Sequence, residues 1–131
     1  MEPNRENIKK WVDALLSDEY KQGGGALAQS VNDHIEYCCL GVACEVALAN
    51  GIELIKAPVT NETHTIEYDA EGAVLPHKVQ EWLGLSSDPI IEDTSFGHPI
   101  SAINANDSRN WTFRQIAEAI TAKYLEDTPS D

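Results

Sequence analysis

Residues 36–46, EYCCLGVACEV, set three cysteines (Cys38, Cys39 and Cys44) in a largely apolar run with a single glycine. A cysteine attacks as a thiolate, and the unpaired N–H groups and macrodipole at a helix N-terminus favour that form. Cys38 and Cys39 fall at the expected start of such a helix. A nucleophilic thiol also needs a base. His64 lies on an expected strand, His34, His77 and His98 are further imidazoles, and Asn104, Asn106 or Asp107 could orient one. The order Cys, His, Asn/Asp is that of cysteine proteases and transferases in arrangement, which makes Cys38, Cys39 and His64 the candidate catalytic set. The competing reading is inert packing, because free cysteine is among the most buried residue types. There is no C-x-x-C, the four histidines are dispersed, and Cys39 and Cys44 are five apart instead of the four that would chelate from one helix face. No metal and no cofactor are expected.

Two other stretches have the chemistry of a binding site. Residues 104–115, NANDSRNWTFRQ, bring Asn104, Asn106, Asp107, Arg109, Trp111 and Arg114 to the start of a helix. Helix starts attract anions, arginines fork onto phosphates, and an indole stacks on a nucleobase. The glycine run in residues 20–27, YKQGGGAL, lacks the Lys-Ser/Thr ending of a phosphate-binding P-loop, but Gln22, Gly23 and Gly24 could line a small-molecule site. The expected ligand-binding set is therefore Gln22, Gly23, Gly24, Asn104, Asn106, Asp107, Arg109, Trp111 and Arg114. The competing readings are a plain turn for the glycines, and helix capping with core packing for the second stretch.

These residues must be positioned by the surrounding elements. Ile8, Trp11, Val12, Leu15 and Leu16 repeat at helical spacing, so residues 4–17 are expected to form an amphipathic helix started by Pro3 and Asn4. Residues 26–30 and 34–38 suit two short strands around a turn at 31–33. Residues 38–49 are apolar around almost the whole circumference, which predicts a buried helix closed by Asn50-Gly51. A hairpin is expected from 52–57 and 64–69 with its turn around Asn61, then a brief strand at Val74-Leu75. Pro76 opens a short helix carrying Val79, Trp82 and Leu83 and stopped by Gly84. Residues 86–110 are irregular apart from a strand near Pro89-Ile90-Ile91. Thr112 and Gln115 have capping-box spacing before the stripe Phe113, Ile116, Ala117, Ile120, Tyr124. The acidic end, 126–131, is expected to fray. The pattern is one α+β domain over 1–131: a buried central helix, two to three peripheral helices and a small, mostly antiparallel sheet.

Composition narrows the class. In 131 residues, 42% are apolar and 24% charged, ordinary values for one globular domain. Nine Lys/Arg against 22 Asp/Glu give a net charge of −13, which repels phosphate backbones and disfavours nucleic acid as a partner. No apolar run reaches the roughly 18 residues of a membrane span, and the N-terminus is unlike a signal peptide. An odd number of cysteines, two of them adjacent, fits reduced thiols in a cytoplasm.

Three motifs occur together: W-x3-L followed by Y-x-Q-x2-G-x-L (Trp11, Leu15, Tyr20, Gln22, Gly25, Leu27), Y-C-C-L-G-V-x-C-E (residues 37–45), and N-D followed by F-x2-I-A (Asn106, Asp107, Phe113, Ile116, Ala117). With a Leu-Pro-x2-Val-x2-Trp-Leu-Gly-Leu stretch at 75–85, they resemble a family of small proteins encoded by bacteriophages and prophages. The glycine run 23–25 and the loop 86–108 depart from that pattern. The resemblance implies a viral origin, and small accessory phage proteins often antagonise host defences. The leading expectation is a non-catalytic protein that sequesters a nucleotide-like immune signal in the host cytoplasm, as a homo-oligomer whose second protomer closes the site. The alternatives are a hydrolase or transferase using Cys38 or Cys39, and an acidic, DNA-mimic-like inhibitor of a host defence protein.

Overall fold

The buried helix predicted around the cysteines is the centre of the molecule in the computed structural model, which describes residues 2–32, 34–58, 64–93 and 98–126. Helix α2 (Cys39–Ala49) buries Cys39, Leu40, Gly41, Val42, Ala43, Cys44, Val46 and Ala47. A helix with so little polar surface is held by its neighbours on every side. Gly41 permits the tightest of these approaches, since a Cβ there would collide with the backbone carbonyl of Leu27. That carbonyl also accepts the Cys38 N–H at 3.1 Å.

Helix α1 (Arg5–Leu16) starts at Asn4, whose side chain accepts the Asn7 N–H, and lays Ile8, Trp11, Val12 and Leu15 against the core. Trp11 is fully buried, and its indole N–H donates to the Cys39 carbonyl at 2.8 Å. This satisfies a polar atom that would otherwise cost ~1–3 kcal/mol to bury.

The main sheet is assembled from short strands in the order β1-β3-β2-β5-β4. These are β1 (Lys21–Gln22), β2 (Ala28–Val31), β3 (His34–Tyr37), β4 (Lys56–Pro58) and β5 (Thr65–Tyr68). Strand β1 runs parallel to β3 and the other pairings are antiparallel, in line with the mostly antiparallel expectation. The 52–57 strand is shorter than its hydrophobicity suggests. Pairing begins at Lys56, where the chain comes opposite Tyr68. Val74 and Leu75 form no strand, because the segment bends and Leu75 instead donates to the Ser87 carbonyl. Asp33 of the first turn, the turn around Asn61, and residues 127–131 of the acidic end lie outside the described residues.

Helix α3 (His77–Leu83) ends at Gly84 in the left-handed conformation, as its sequence predicts. The segment 86–110 is not irregular. It contains a two-stranded antiparallel sheet, β6 (Ile90–Asp93) with β7 (His98–Ser101), and helix α4 (Ala102–Asp107). Ser101 caps α4 by accepting the Asn104 N–H at 3.1 Å. Helix α5 (Phe113–Ile120) has the predicted capping box at Thr112 and Gln115 and continues into a π-helical turn, Thr121–Leu125. Among the described residues the fold is thus α+β, with α1, α3 and α4 packed on α2, and α5 packed on α1, α4 and β6.

Candidate functional site

Two carboxamides, Gln22 and Asn106, join three distant parts of the chain. Asn106 is 4% exposed at the C-terminal end of α4. Its Oδ1 accepts the N–H of Cys39, the first residue of α2, at 3.3 Å and the Gln22 side-chain N–H at 2.9 Å. Its Nδ2 donates to the Gly23 carbonyl and to Asp107 Oδ1, both at 2.8 Å. Two donors face the oxygen and two acceptors face the nitrogen, so the amide has one workable orientation. Gln22 does the same for α5: its Oε1 accepts the Phe113 N–H at 3.1 Å, and its Nε2 also donates to the Trp111 carbonyl at 2.7 Å. Each side chain therefore satisfies an orphan N–H at a helix start.

The surface above this network is a cleft of about 580 Å³. One wall is the glycine loop after β1, where Gly23 N–H donates to the Tyr37 carbonyl at 2.8 Å. A Cβ on Gly24 would stand 3.0 Å from Asp107 Oδ1, so glycine lets the loop close up on the carboxylate. The other wall is the turn between α4 and α5, with Asn110 in the left-handed region at φ 54° and Trp111 N–H donating to the Ala105 carbonyl at 3.0 Å. Of the expected binding residues, Gln22, Gly23, Gly24, Asn106, Asp107 and Trp111 line the cleft together. Gly25, Asn110 and Thr112 line it too. Thr112 was legible as a cap, and Asn110 carries only the turn preference of its residue type.

Asn104, Arg109 and Arg114 are not part of this cleft. Asn104 is exposed on α4, where its carbonyl accepts the N–H groups of Ser108 and Arg109. Arg109 turns away to the buried Asp93, donating to its carboxylate at 3.4 Å. Arg114 lines a neighbouring pocket. Proximity in sequence misplaced them because α4 ends before Arg109 and α5 begins before Arg114, so each faces a direction set by its own element. Among the described residues lining the cleft, Asp107 is the charged one.

The cysteine set does not assemble. All three thiols are buried. Burial pushes the Cys38 thiol up to about 11, and the carboxylates of Asp107 and Asp88 push in the same direction. Burial likewise raises Cys39 and Cys44. A nucleophile needs the opposite shift. The dipole argument for Cys38 fails because desolvation outweighs the helix-terminal N–H groups. His64 stands at the wrong end of the sheet. Its carbonyl accepts the Ser30 N–H, while Cys38 donates to Leu27, three residues along β2 and on its other side. Strand rise and spacing put the two backbones ~14 Å apart.

Among the described residues no helix is long and apolar enough to cross a membrane. A family model described as a domain of unknown function (DUF8296) matches residues 4–124, which includes every strand and α-helix described above. No curated protein and no solved structure matches the chain significantly.

Proposed function

The chain belongs to the DUF8296 family, and from that premise we propose that it is a non-catalytic protein that captures a small nucleoside-like ligand in the cleft between the glycine loop and the α4–α5 turn. The observation that carries this reading is a preformed cleft whose polar lining is held in place by two carboxamides bonded to the backbone of three elements. Its volume lies in the range of small-ligand sites. Trp111 offers a face for stacking a planar base. Asp107 and Asn110 offer acceptors and donors to ribose hydroxyls or base edges. The buried thiols supply no nucleophile, which is why binding and not turnover is proposed. The resemblance to phage proteins supplies the setting: withholding a nucleotide-like immune signal inside an infected cell.

Thermal melting against a panel of ribonucleosides and nucleotides tests this. A ligand at a hundred times its Kd adds ~2.7 kcal/mol of stability, or about 10 °C in Tm for a domain of this size. The bound molecule should be recovered chemically intact after denaturation. Trp111→Ala should weaken binding roughly ten-fold, the contribution of one stacked base. A panel in which no member moves the melting curve rejects the reading.

A further inference from the structure

The cleft has a neighbour. On the other side of Gln22 and Thr112 lies a second pocket of about 320 Å³, lined by Leu15, Leu16, Asp18, Tyr20, Phe113 and Arg114 in addition to the two shared residues. Gln22 forms the divider, its amide held by Phe113 N–H on one atom and by Asn106 and the Trp111 carbonyl on the other. The divider is therefore fixed, and the two hollows are parts of one continuous surface.

Arg114 differs from the other two arginines of the chain. Arg5 donates to the carbonyls of Tyr124 and Leu125, and Arg109 is paired with Asp93. Arg114 is exposed, and its guanidinium has no hydrogen bond or ion pair among the described residues. In a protein of net charge −13, an arginine left unpaired at the rim of a pocket is available to an anion from outside. A guanidinium forks onto phosphate oxygens in a planar geometry that suits them.

We infer that the ligand extends across Thr112, with its nucleoside portion in the first cleft and a phosphate on Arg114 in the second pocket. The ligand class is then a nucleotide and not a free nucleoside. This rests on the reading of the first cleft given above, and it restores to Arg114 a recognition role outside that cleft. Asp18 shares the pocket and opposes negative charge, which holds the expected gain to about ten-fold, the lower end for charge-assisted hydrogen bonds. Because Arg114 is exposed, the gain should shrink as salt is added.

The test compares the four common ribonucleosides with their 5′-monophosphates by calorimetry on the full chain and on Arg114→Gln. Arg114 is on the surface, so the variant should fold, and its unchanged melting temperature without ligand checks this. The expected result is a monophosphate that binds about ten-fold tighter than its nucleoside, with the difference abolished in R114Q. Equal affinities for the two, or a difference that survives R114Q, overturns the phosphate subsite while leaving the first cleft standing. Absence of binding by nucleosides and monophosphates alike overturns both.

Discussion

Replacing Asn106 by alanine should be among the most damaging polar substitutions in this domain. The side chain makes three hydrogen bonds to other segments, to Cys39 N–H, Gln22 Nε2 and the Gly23 carbonyl, and a fourth to its neighbour Asp107. A net hydrogen bond contributes ~1 kcal/mol, and a buried group left without a partner costs ~1–3 kcal/mol more. Cys39 is fully buried at the first position of α2, and its N–H loses its side-chain partner when the cap is removed. Summed conservatively, Asn106→Ala should cost ~3–5 kcal/mol. Against a typical total of ~5–15 kcal/mol that leaves a marginal fold. In a thermal melt it corresponds to a fall in Tm of about 12–20 °C. Asn106→Asp sharpens the test, because it keeps the shape and removes the donor. The new carboxylate would face the Gly23 carbonyl and the Asp107 carboxylate, so its folded pKa would lie above its unfolded one. Stability should then rise as pH falls from 7 through that raised value, because the folded state holds the extra proton. A melting temperature for N106A within about 3 °C of the parent chain would refute the claim that this amide knits the core together.

Two further outcomes follow from the core. Burial pushes the Cys38 thiol from an ordinary value of 9.0 up to about 11, so the folded state keeps a proton that the unfolded state has lost between those values; stability is fully present below pH 9 and falls by ~2–3 kcal/mol as pH rises through 11. Tyr68, raised by burial and by its hydrogen bond to Glu45 Oε2 at 2.6 Å, adds to the same alkaline loss above pH 10. Urea titrations at pH 7, 9 and 10.5 measure it, and iodoacetamide at pH 8 should label no thiol until denaturant is added. Gly41→Ala should unfold the chain or shift α2 off the sheet, since the added methyl meets the Leu27 carbonyl and not a flexible side chain; circular dichroism and a melt indistinguishable from the parent would contradict the packing described here.

Strong local signals were read well from sequence. The helix bearing Ile8, Trp11, Val12 and Leu15, the Gly84 stop and the Thr112–Gln115 capping box each rest on contacts within a few residues, and each is present. Strand β7 and helix α4 were missed because their signals are weak. HPIS is short and carries a proline, and AINAND has the caps and turn formers of a loop, its helix being fixed by Ser101 below and by Asn106 reaching α2 above. The glycine loop and residues 104–115 both carry ligand-like chemistry, but the meeting of the loop with residues 106–112 is tertiary. Gln22 and Asn106 are 84 residues apart, and no spacing rule pairs them. The cysteines show the reverse error. A helix start suggested activation, yet desolvation in a helix buried on all sides decides the thiol's proton.

The double duty of Asn106 and Gln22 has a kinetic consequence. Both are lining residues of the cleft and both cap helices of the core, so neither wall can swing outward without releasing a helix end. Recognition at this surface should accordingly resemble a key entering a fixed lock. Association rates should grow linearly with ligand concentration and show no plateau from a slow rearrangement, and backbone amides around Gly23 and Cys39 should exchange with solvent as slowly before capture as after it.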